Sequence, residues 1–357
     1  MMRILHLVLA PRLSGAEVLV KDLAAYQRGQ GHPVWVTSLL PEQEDFTALR
    51  AALDKNGVVC RFPRRRYPLI GKLWHLFRVA RRFRPDVVFA HATIPSFYAR
   101  ALPITVPIVF VMHSATNDFA YPVFRWVERI LRRRARAVIG VSQANVDDYV
   151  AAVGAHPVMS VIPNGVDVAR FSTVGRPLRS KPVAHVVQVG RYTAVKNQLQ
   201  TVRAFREVLT EVPTARLGLY GVIEDPAYHR SVIELTHELG IADHVVIEGP
   251  RSDIPQLLSE ANVFAMPSLS EAHSIAFIEA LASGVPIVAN AIPSFAFAKR
   301  LTNVQLIEAN DTMAYARALV VALQQERAER RLNGLTLADT ADQYGSIASR
   351  VVYRQGA

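Results

Sequence analysis

Cysteine is nearly missing from this chain: Cys60 is the only one in 357 residues. A single thiol excludes an internal disulfide framework and fits a reducing compartment. Long apolar runs are missing as well. The longest candidate, residues 104–112, is about half the ~18 residues a membrane-spanning helix needs, and it contains Pro107. The N-terminal run Ile4-Leu5-His6-Leu7-Val8-Leu9-Ala10 is short, is interrupted by His6 and lacks a small-x-small cleavage site. It reads as a first buried strand rather than a signal peptide. Two phosphate motifs are also absent. Without G-x-x-x-x-G-K-[ST] or G-x-G-x-x-G, ATP hydrolysis and hydride transfer lose most of their support. No H-x-x-x-H or D-x-D cluster demands a metal.

What is present is a hydrophobic, basic chain. Half its residues are hydrophobic, which marks it as globular, and its length suits two domains. The net charge of +11 is unevenly placed. Residues 1–180 carry 25 Lys+Arg against 12 Asp+Glu (+13), and residues 181–357 carry 16 against 18 (−2). The N-terminal half is therefore expected to meet an anionic partner, with nucleic acid and anionic lipid both allowed by charge alone.

Short Val/Ile/Leu runs alternate with helical patterns along both halves, as in parallel sheets covered on both faces. In the first half, strands are expected over residues 3–10, 34–38, 58–61, 87–90, 108–113, 137–141 and 160–162. The alternation restarts at residue 184 and ends in helices over residues 313–332 and 338–350, the last with no strand after it. The expected organisation is an N-terminal domain at 1–165, a linker at 166–182, a C-terminal domain at 183–336 and a returning C-terminal helix at 337–357. A helix over residues 70–83 carries a stripe of Ile70, Leu73, Trp74, Phe77 and Ala80, expected to pack on the sheet with its arginines outward.

Two places carry candidate chemistry. The strand over residues 184–189 ends in Gly190-Arg191-Tyr192-Thr193-Ala194-Val195-Lys196-Asn197. Arg191 and Lys196 beside a helix N-terminus suit a dianionic group such as a diphosphate, although solvated loop cations read equally well from these residues alone. Further on, Glu271 and Glu279 sit eight residues apart where a polar loop meets an apolar helix. Glu279 would share a face with Ile275, Ala276, Ala282 and Ser283, so its carboxylate needs a partner.

Taken together, these pieces resemble the GT-B glycosyltransferases of glycosyltransferase family 4. Leu13-Ser14-Gly15-Ala16-Glu17 looks like the family's N-terminal glycine loop. Val161-Ile162-Pro163-Asn164-Gly165-Val166-Asp167 is similar to its interdomain signature. Gly190-Arg191 with Lys196 matches its phosphate pair. Gly249-Pro250-Arg251-Ser252-Asp253-Ile254 resembles the loop beside the nucleotide base. Glu271 to Glu279 matches its E-x7-E motif. The resemblance implies an α/β fold of two Rossmann-like, doubly wound domains facing across a cleft, with the C-terminal helix crossing back to the N-terminal domain. It implies retaining transfer of a sugar from a UDP- or GDP-sugar to a glycan or lipid-linked acceptor, with neither metal nor cofactor. Roles follow by position. Glu279 would accept from ribose hydroxyls and Glu271 would hold hydroxyls of the sugar. Arg191, Lys196 and the backbone N–H groups near Ser274, Ile275 and Ala276 would neutralise the leaving diphosphate. Gly15 would approach the donor phosphates. His113 would face the transferred sugar, Arg251 would frame the base and His273 would contact sugar or phosphate. Taken without the family, His113 reads equally as a histidine capping a strand end.

Two departures stand out. Ser14-Gly15 replaces the family's usual Gly-Gly, and Ala272-His273-Ser274 replaces two glycines of E-G-F-G-L. The basic segments Arg61–Arg84 and Arg125–Arg136 are expected to hold the enzyme on the cytoplasmic face of an inner membrane. The expected setting is bacterial surface polysaccharide assembly: lipopolysaccharide, capsule or exopolysaccharide. A GT-B epimerase or phosphorylase is the alternative. A basic nucleic-acid-binding protein would leave Arg191, Lys196, Glu271 and Glu279 unexplained.

Overall fold

A computed structural model describes residues 1–114, 117–172 and 183–353. The chain divides into two units, Met1–Val166 with Asn333–Ala357, and Asp167–Leu332. Each is built on one wholly parallel sheet.

In the first unit the strands are β1 (Ile4–Val8), β2 (Val34–Ser38), β3 (Val59–Arg61), β4 (Val87–His91), β5 (Ile108–Met112), β6 (Ala137–Gly140) and β7 (Met159–Val161). Between them run α1 (Gly15–Gly29), α2 (Thr47–Lys55), α3 (Leu69–Phe83), α4 (Thr93–Ala101), α5 (Pro122–Leu131) and α6 (Gln143–Val153). The strand order β3-β2-β1-β4-β5-β6-β7 reverses direction beside β1, the doubly wound pattern whose switch point lies between β1 and β4. The central strands β1, β4, β5 and β6 are buried at every position because helices cover both faces. One face packs Leu5, Leu7, Val88 and Ala90 against Leu76, Val79 and Phe83 of α3.

The second unit opens with a single turn, α7 (Val168–Phe171), capped by the Asp167 carboxylate. Its strands are β8 (His185–Val189), β9 (Arg216–Tyr220), β10 (Val245–Glu248), β11 (Val263–Met266), β12 (Ile287–Asn290) and β13 (Val304–Ile307), in the order β10-β9-β8-β11-β12-β13. Its helices are α8 (Gln198–Glu211), α9 (Pro226–Glu238), α10 (Ile254–Glu260), α11 (Ile275–Ser283) and α12 (Thr312–Leu323). The final helix, α13 (Leu337–Tyr353), belongs to the first unit, where it packs on α1 and β4. Tyr344 sits 5.1 Å from the Phe89 ring there.

Four expectations need correcting. The polar stretch from residue 166 is folded at its start: Val166 bridges to Thr336, and α7 follows. Residues 173–182 of the expected linker, and 354–357 of the expected terminal helix, lie outside the described residues. A helix, α2, fills residues where none was expected. The helix expected over residues 313–332 stops at Leu323. Beyond it, Arg327 donates to the carbonyls of Ser283, Leu258 and Ala261, and Arg330 to those of Val285, Leu281 and Thr302. These guanidiniums satisfy carbonyls at the ends of α10 and α11, which a continued helix would leave without partners. Finally, Ile70 and Trp74 do not pack on the sheet; they are 78% and 58% exposed. The buried line of α3 runs through Leu76, Val79, Ala80 and Phe83. At about 100° per residue, Ile70 and Trp74 lie roughly a third of a turn or more away from it.

One buried ion pair fixes three helices of the first unit. The Arg100 guanidinium on α4 grips Glu128 of α5 through bonds of 2.8 and 2.6 Å, and Tyr149 of α6 donates to the same carboxylate at 2.8 Å. Both charged side chains are fully buried. Glu128→Leu leaves Arg100 buried without its anion and is expected to cost about 3–5 kcal/mol, whereas Arg100→Met with Glu128→Leu costs much less. Urea denaturation of the three proteins checks this; equal losses in single and double variants refute it.

Candidate active site

In the second unit the chain assembles Lys196 and Glu271 from segments far apart in sequence. After β8, residues Gly190 to Asn197 form a loop tied down by side chains. Gln198 donates to the carbonyls of Gly190 and Arg191 at 3.2 and 2.9 Å, and Gln188 donates to that of Lys196 at 2.8 Å. Asn197 turns the chain at a φ of 55°, with its amide on the Pro267 carbonyl at 3.3 Å. The Leu269 N–H donates to the Val195 carbonyl at 2.8 Å. The loops after β8 and β11 are therefore clipped together. Gly221 must be glycine, because a Cβ there would collide with the Gly190 carbonyl.

That clip brings Lys196 Nζ to 2.5 Å from Glu271 Oε1, with both side chains mostly buried. Glu271, expected to hold sugar hydroxyls, is bonded to Lys196. Arg191 is 40% exposed and pairs with Glu224, a residue the sequence did not single out. Arg251 is engaged too: Nε and Nη2 donate to the two Asp253 oxygens at 2.7 and 2.5 Å. That hydrogen-bonded pairing pushes Arg251 up and Asp253 down from their ordinary values.

α11 starts four residues after Glu271. Ser274 is its extended N-cap and makes no side-chain cap bond. A helix N-terminus of this kind offers backbone N–H groups, here of Ile275 and Ala276, to an anion. Glu279 lies one turn further on and is buried, at 8% exposure, as its apolar neighbours predict. His273 stacks on Phe297 with ring centroids 5.7 Å apart. Burial lowers its imidazole to about 4, so at neutral pH it offers hydrogen bonds and no positive charge.

In the first unit Ser14 caps α1, and Gly15 is the first helical residue. The Ser14 hydroxyl donates to the Glu17 carboxylate. His113 lies just past β5 and lines a small open pocket with Thr93, Ser114, Asn117, Asp118 and Asn145. It is the last of three bonded imidazoles. His113 Nε2 is 2.9 Å from His91 Nδ1, His91 Nε2 is 3.0 Å from His6 Nδ1, and His6 Nε2 is 2.8 Å from Gln27 Oε1. Neither His6 nor His91 was singled out from the sequence. The available signal was His6 itself, a polar side chain inside an apolar strand.

Burial holds His6 and His113 at about 4 and His91 well below 6.5. Unfolded, these imidazoles titrate near 6.5, so between pH 6.5 and 4 the unfolded chain binds more protons. Their contribution is complete above 6.5 and is lost as pH falls through 4. Each of His6 and His113 should then account for about 3 kcal/mol of stability. Denaturation midpoints should be flat above pH 7, fall steeply below 6, and fall less steeply in His6→Asn. A wild-type profile level down to pH 4 contradicts this reading.

Two family models match the chain: Glycosyltransferase Family 4 over residues 13–170, and Glycosyl transferases group 1 over residues 184–325. An Escherichia coli UDP-Gal:alpha-D-GlcNAc-diphosphoundecaprenol alpha-1,3-galactosyltransferase is 24% identical over 69% of this chain and 68% of its own length. The alpha-monoglucosyldiacylglycerol synthase of Streptococcus pneumoniae is 24% identical over 79% of this chain and 69% of its own. Among solved structures, Anabaena HepE, crystallised with UDP and glucose, superposes with a TM-score of 0.75 at 22% identity, covering 99% of this chain and 98% of that one. The two matched models follow each other along the chain, and their order agrees with its two parallel-sheet units. The chain belongs to the GT-B glycosyltransferases, with a family 4 N-terminal part and a group 1 C-terminal part.

Proposed function

We propose that this enzyme transfers a sugar from a nucleotide-sugar, a UDP- or GDP-sugar, to a glycan or lipid-linked acceptor with retention of configuration. The observation that carries the reading is the clipped Lys196–Glu271 pair shortly before the N-terminus of α11, whose N-cap Ser274 makes no side-chain cap bond, with Arg191 exposed on the same loop as Lys196. A departing diphosphate gains charge in the transition state, and preorganised cations and N–H groups stabilise that gain. Arg191, Lys196 and the start of α11 supply both, so the proposed reaction uses no metal or cofactor. Glu279 takes the ribose hydroxyls and Gly15 lets the chain approach the donor phosphates. His113 takes a sugar hydroxyl, His273 contacts the donor, and the segment with Arg251 borders the base. Glu271 exchanges its bond to Lys196 for sugar hydroxyls as the diphosphate arrives. HepE's complexes with UDP and the galactosyltransferase's named UDP-Gal donor support a uridine donor.

The acceptor side of the proposal rests on α5. This helix buries its acid, Glu128, and turns Val123, Trp126 and Ile130 to solvent at 67%, 65% and 57% exposure. Arg129 and Arg133 are exposed beside them, and Ile70 and Trp74 of α3 are exposed among further arginines. Apolar and aromatic side chains interleaved with arginine suit an anionic bilayer surface. Among the described residues no helix is long and apolar enough to cross a membrane. We therefore place the enzyme peripherally on the cytoplasmic leaflet, acting on lipid-linked glycans in surface polysaccharide assembly. Two relatives, one named for a diphosphoundecaprenol-linked GlcNAc and one for synthesis of a glucosyldiacylglycerol, support a lipid acceptor.

Two experiments test these readings. In a thermal-shift screen of UDP-, GDP-, ADP- and CMP-sugars, one class should raise Tm by several degrees, and Glu279→Ala should abolish the shift. Arg191→Met should then lower kcat about 10²- to 10³-fold with little change in Tm. A screen in which no nucleotide shifts the protein defeats the donor site. For the surface, flotation with phosphatidylglycerol vesicles at low salt should recover the wild type but not Trp126→Ser/Ile130→Ser, at unchanged Tm. Absence of wild-type binding removes the membrane from the proposal.

A further inference from the structure

Of the histidine chain ending at His113, only His113 itself enters the donor reading above; His6, His91 and Gln27 do not. These three are nonetheless built at depth: His6 and His91 are 0% and 2% exposed and Gln27 is 5% exposed. Two buried imidazoles and the half-buried His113, bonded in series at 2.9 and 3.0 Å, must agree on which nitrogen carries each proton. In the neutral state each ring has one donor and one acceptor, so a choice at one end propagates to the other.

Gln27 makes that choice. Its Oε1, which only accepts, faces His6 Nε2, so His6 carries its proton on Nε2. His6 Nδ1 is then an acceptor, and His91 must donate to it from Nε2. His91 Nδ1 is in turn an acceptor, and His113 must donate from Nε2. The nitrogen left over is His113 Nδ1, unprotonated; among the described residues no hydrogen bond reaches it. We propose that Gln27, His6 and His91 are positioning residues that lock His113 in its Nε2–H tautomer, so that it meets the substrate as an acceptor for a hydroxyl.

The chemistry of the chain supports holding rather than relay. It ends in an amide, which cannot take up a proton at neutral pH, so a proton gained at His113 Nδ1 has no sink at the far end. Burial lowers all three imidazoles, which keeps them in the neutral, directional form. The sheet supplies the geometry. His6 is paired in register with Phe89, two residues before His91, and His91 is paired with Val111, two residues before His113. A step of two keeps all three rings on one face of the sheet while moving toward the carboxyl edge. The substrate class that follows is a hydroxyl donor such as a sugar; a ligand offering only acceptors at that point is rejected.

The part of this inference that concerns catalysis rests on the glycosyl-transfer reading; the tautomer does not. The test is two-dimensional ¹⁵N–¹H NMR of histidine side chains in the full-length protein labelled with ¹⁵N-histidine, assigned with His113→Gln. The wild type should show His113 with unprotonated Nδ1 and protonated Nε2 near pH 7. Gln27→Met removes the acceptor that sets the direction, and His113 should then show averaged signals of both tautomers. If transfer to the acceptor is established, kcat/KM for the donor should fall about threefold to tenfold in that variant, far short of the ~10⁴-fold cost of a fully wrong tautomer. A wild-type His113 protonated on Nδ1, or charged at pH 7, overturns the inference whether or not Gln27→Met folds. So does a folded Gln27→Met in which the tautomer is unchanged. Failure of every sugar donor, with the tautomer as expected, defeats only the glycosyl-transfer reading.

Discussion

Register in a parallel sheet is the constraint on which both candidate sites depend. When all strands run one way, every carboxyl end emerges at the same edge, and the offset between neighbours decides which side chains meet. In the first sheet, Ile4 lies opposite Val87 and Val88 opposite Ile108. That offset turns three histidines from distant parts of the chain into a bonded series. In the second sheet, Val263 lies opposite Val186, so the loops after β8 and β11 leave side by side. Lys196 and Glu271 meet for that reason. A one-residue slip in either pair would send the alternate side chains to the other face and dissolve both arrangements.

The cations of this protein fall into two kinds, and their partners separate them. Arg100 spends its guanidinium on Glu128 and on the Ser96 carbonyl, in full burial. Arg327 and Arg330 end on backbone carbonyls around α10, α11 and β12, and burial lowers both to about 10. Such groups are locked by the fold, since any competing anion would have to displace several bonds at once. Lys196 and Arg191 differ. An ammonium has three donors, and Lys196 has one carboxylate on them among the described residues. Arg191 stands 40% exposed with a half-exposed partner. A diphosphate can join these cations without unmaking the fold, which is what a binding cation requires.

Alternating apolar runs made most of the fold legible, because a strand covered on both faces leaves a continuous hydrophobic signature. The failures have separate physical causes. Residues 324–332, rich in Gln, Glu and Arg, are good helix formers, yet Arg327 and Arg330 are drawn off to carbonyls elsewhere. Tertiary demand overrode local preference there. α2 escaped notice because only Leu49 and Leu53 among its residues are buried, too thin a stripe to stand out. The places of Arg191, Lys196, Glu271 and Glu279 at strand ends and at the start of α11 were legible in the sequence. Those of Glu224, Gln27, His6 and His91 were not, since a pairing between remote segments leaves no mark in either one.

The two basic helices of the first unit show a further limit of pattern reading. Periodicity says that a helix has an apolar stripe; it does not say which way the stripe faces. On α5 the direction is decided by the opposite side. Glu128 has two buried partners, Arg100 and Tyr149, on neighbouring helices, and together they satisfy its carboxylate in the interior. Turning the helix to bury Trp126 and Ile130 would leave Arg100 a buried cation without an anion, at about 3–5 kcal/mol, and Tyr149 a hydroxyl without its acceptor, at about 1–3 kcal/mol, which together offset the roughly 3–6 kcal/mol gained by burying both apolar side chains. Arg134 and Arg132 add bonds to the Leu102 and Val153 carbonyls that hold the same orientation. On α3 the contest is purely apolar: Leu76, Val79 and Phe83 take the inward face, and Trp74 is left to the Arg78 guanidinium at 4.5 Å. Both helices thus leave aromatic and aliphatic side chains in water for reasons internal to the fold, and on both the residues beside them are arginines. Cations so placed raise the free energy of the bare surface by mutual repulsion and lower it against an anionic one. The apolar side chains contribute in the same direction once water is displaced.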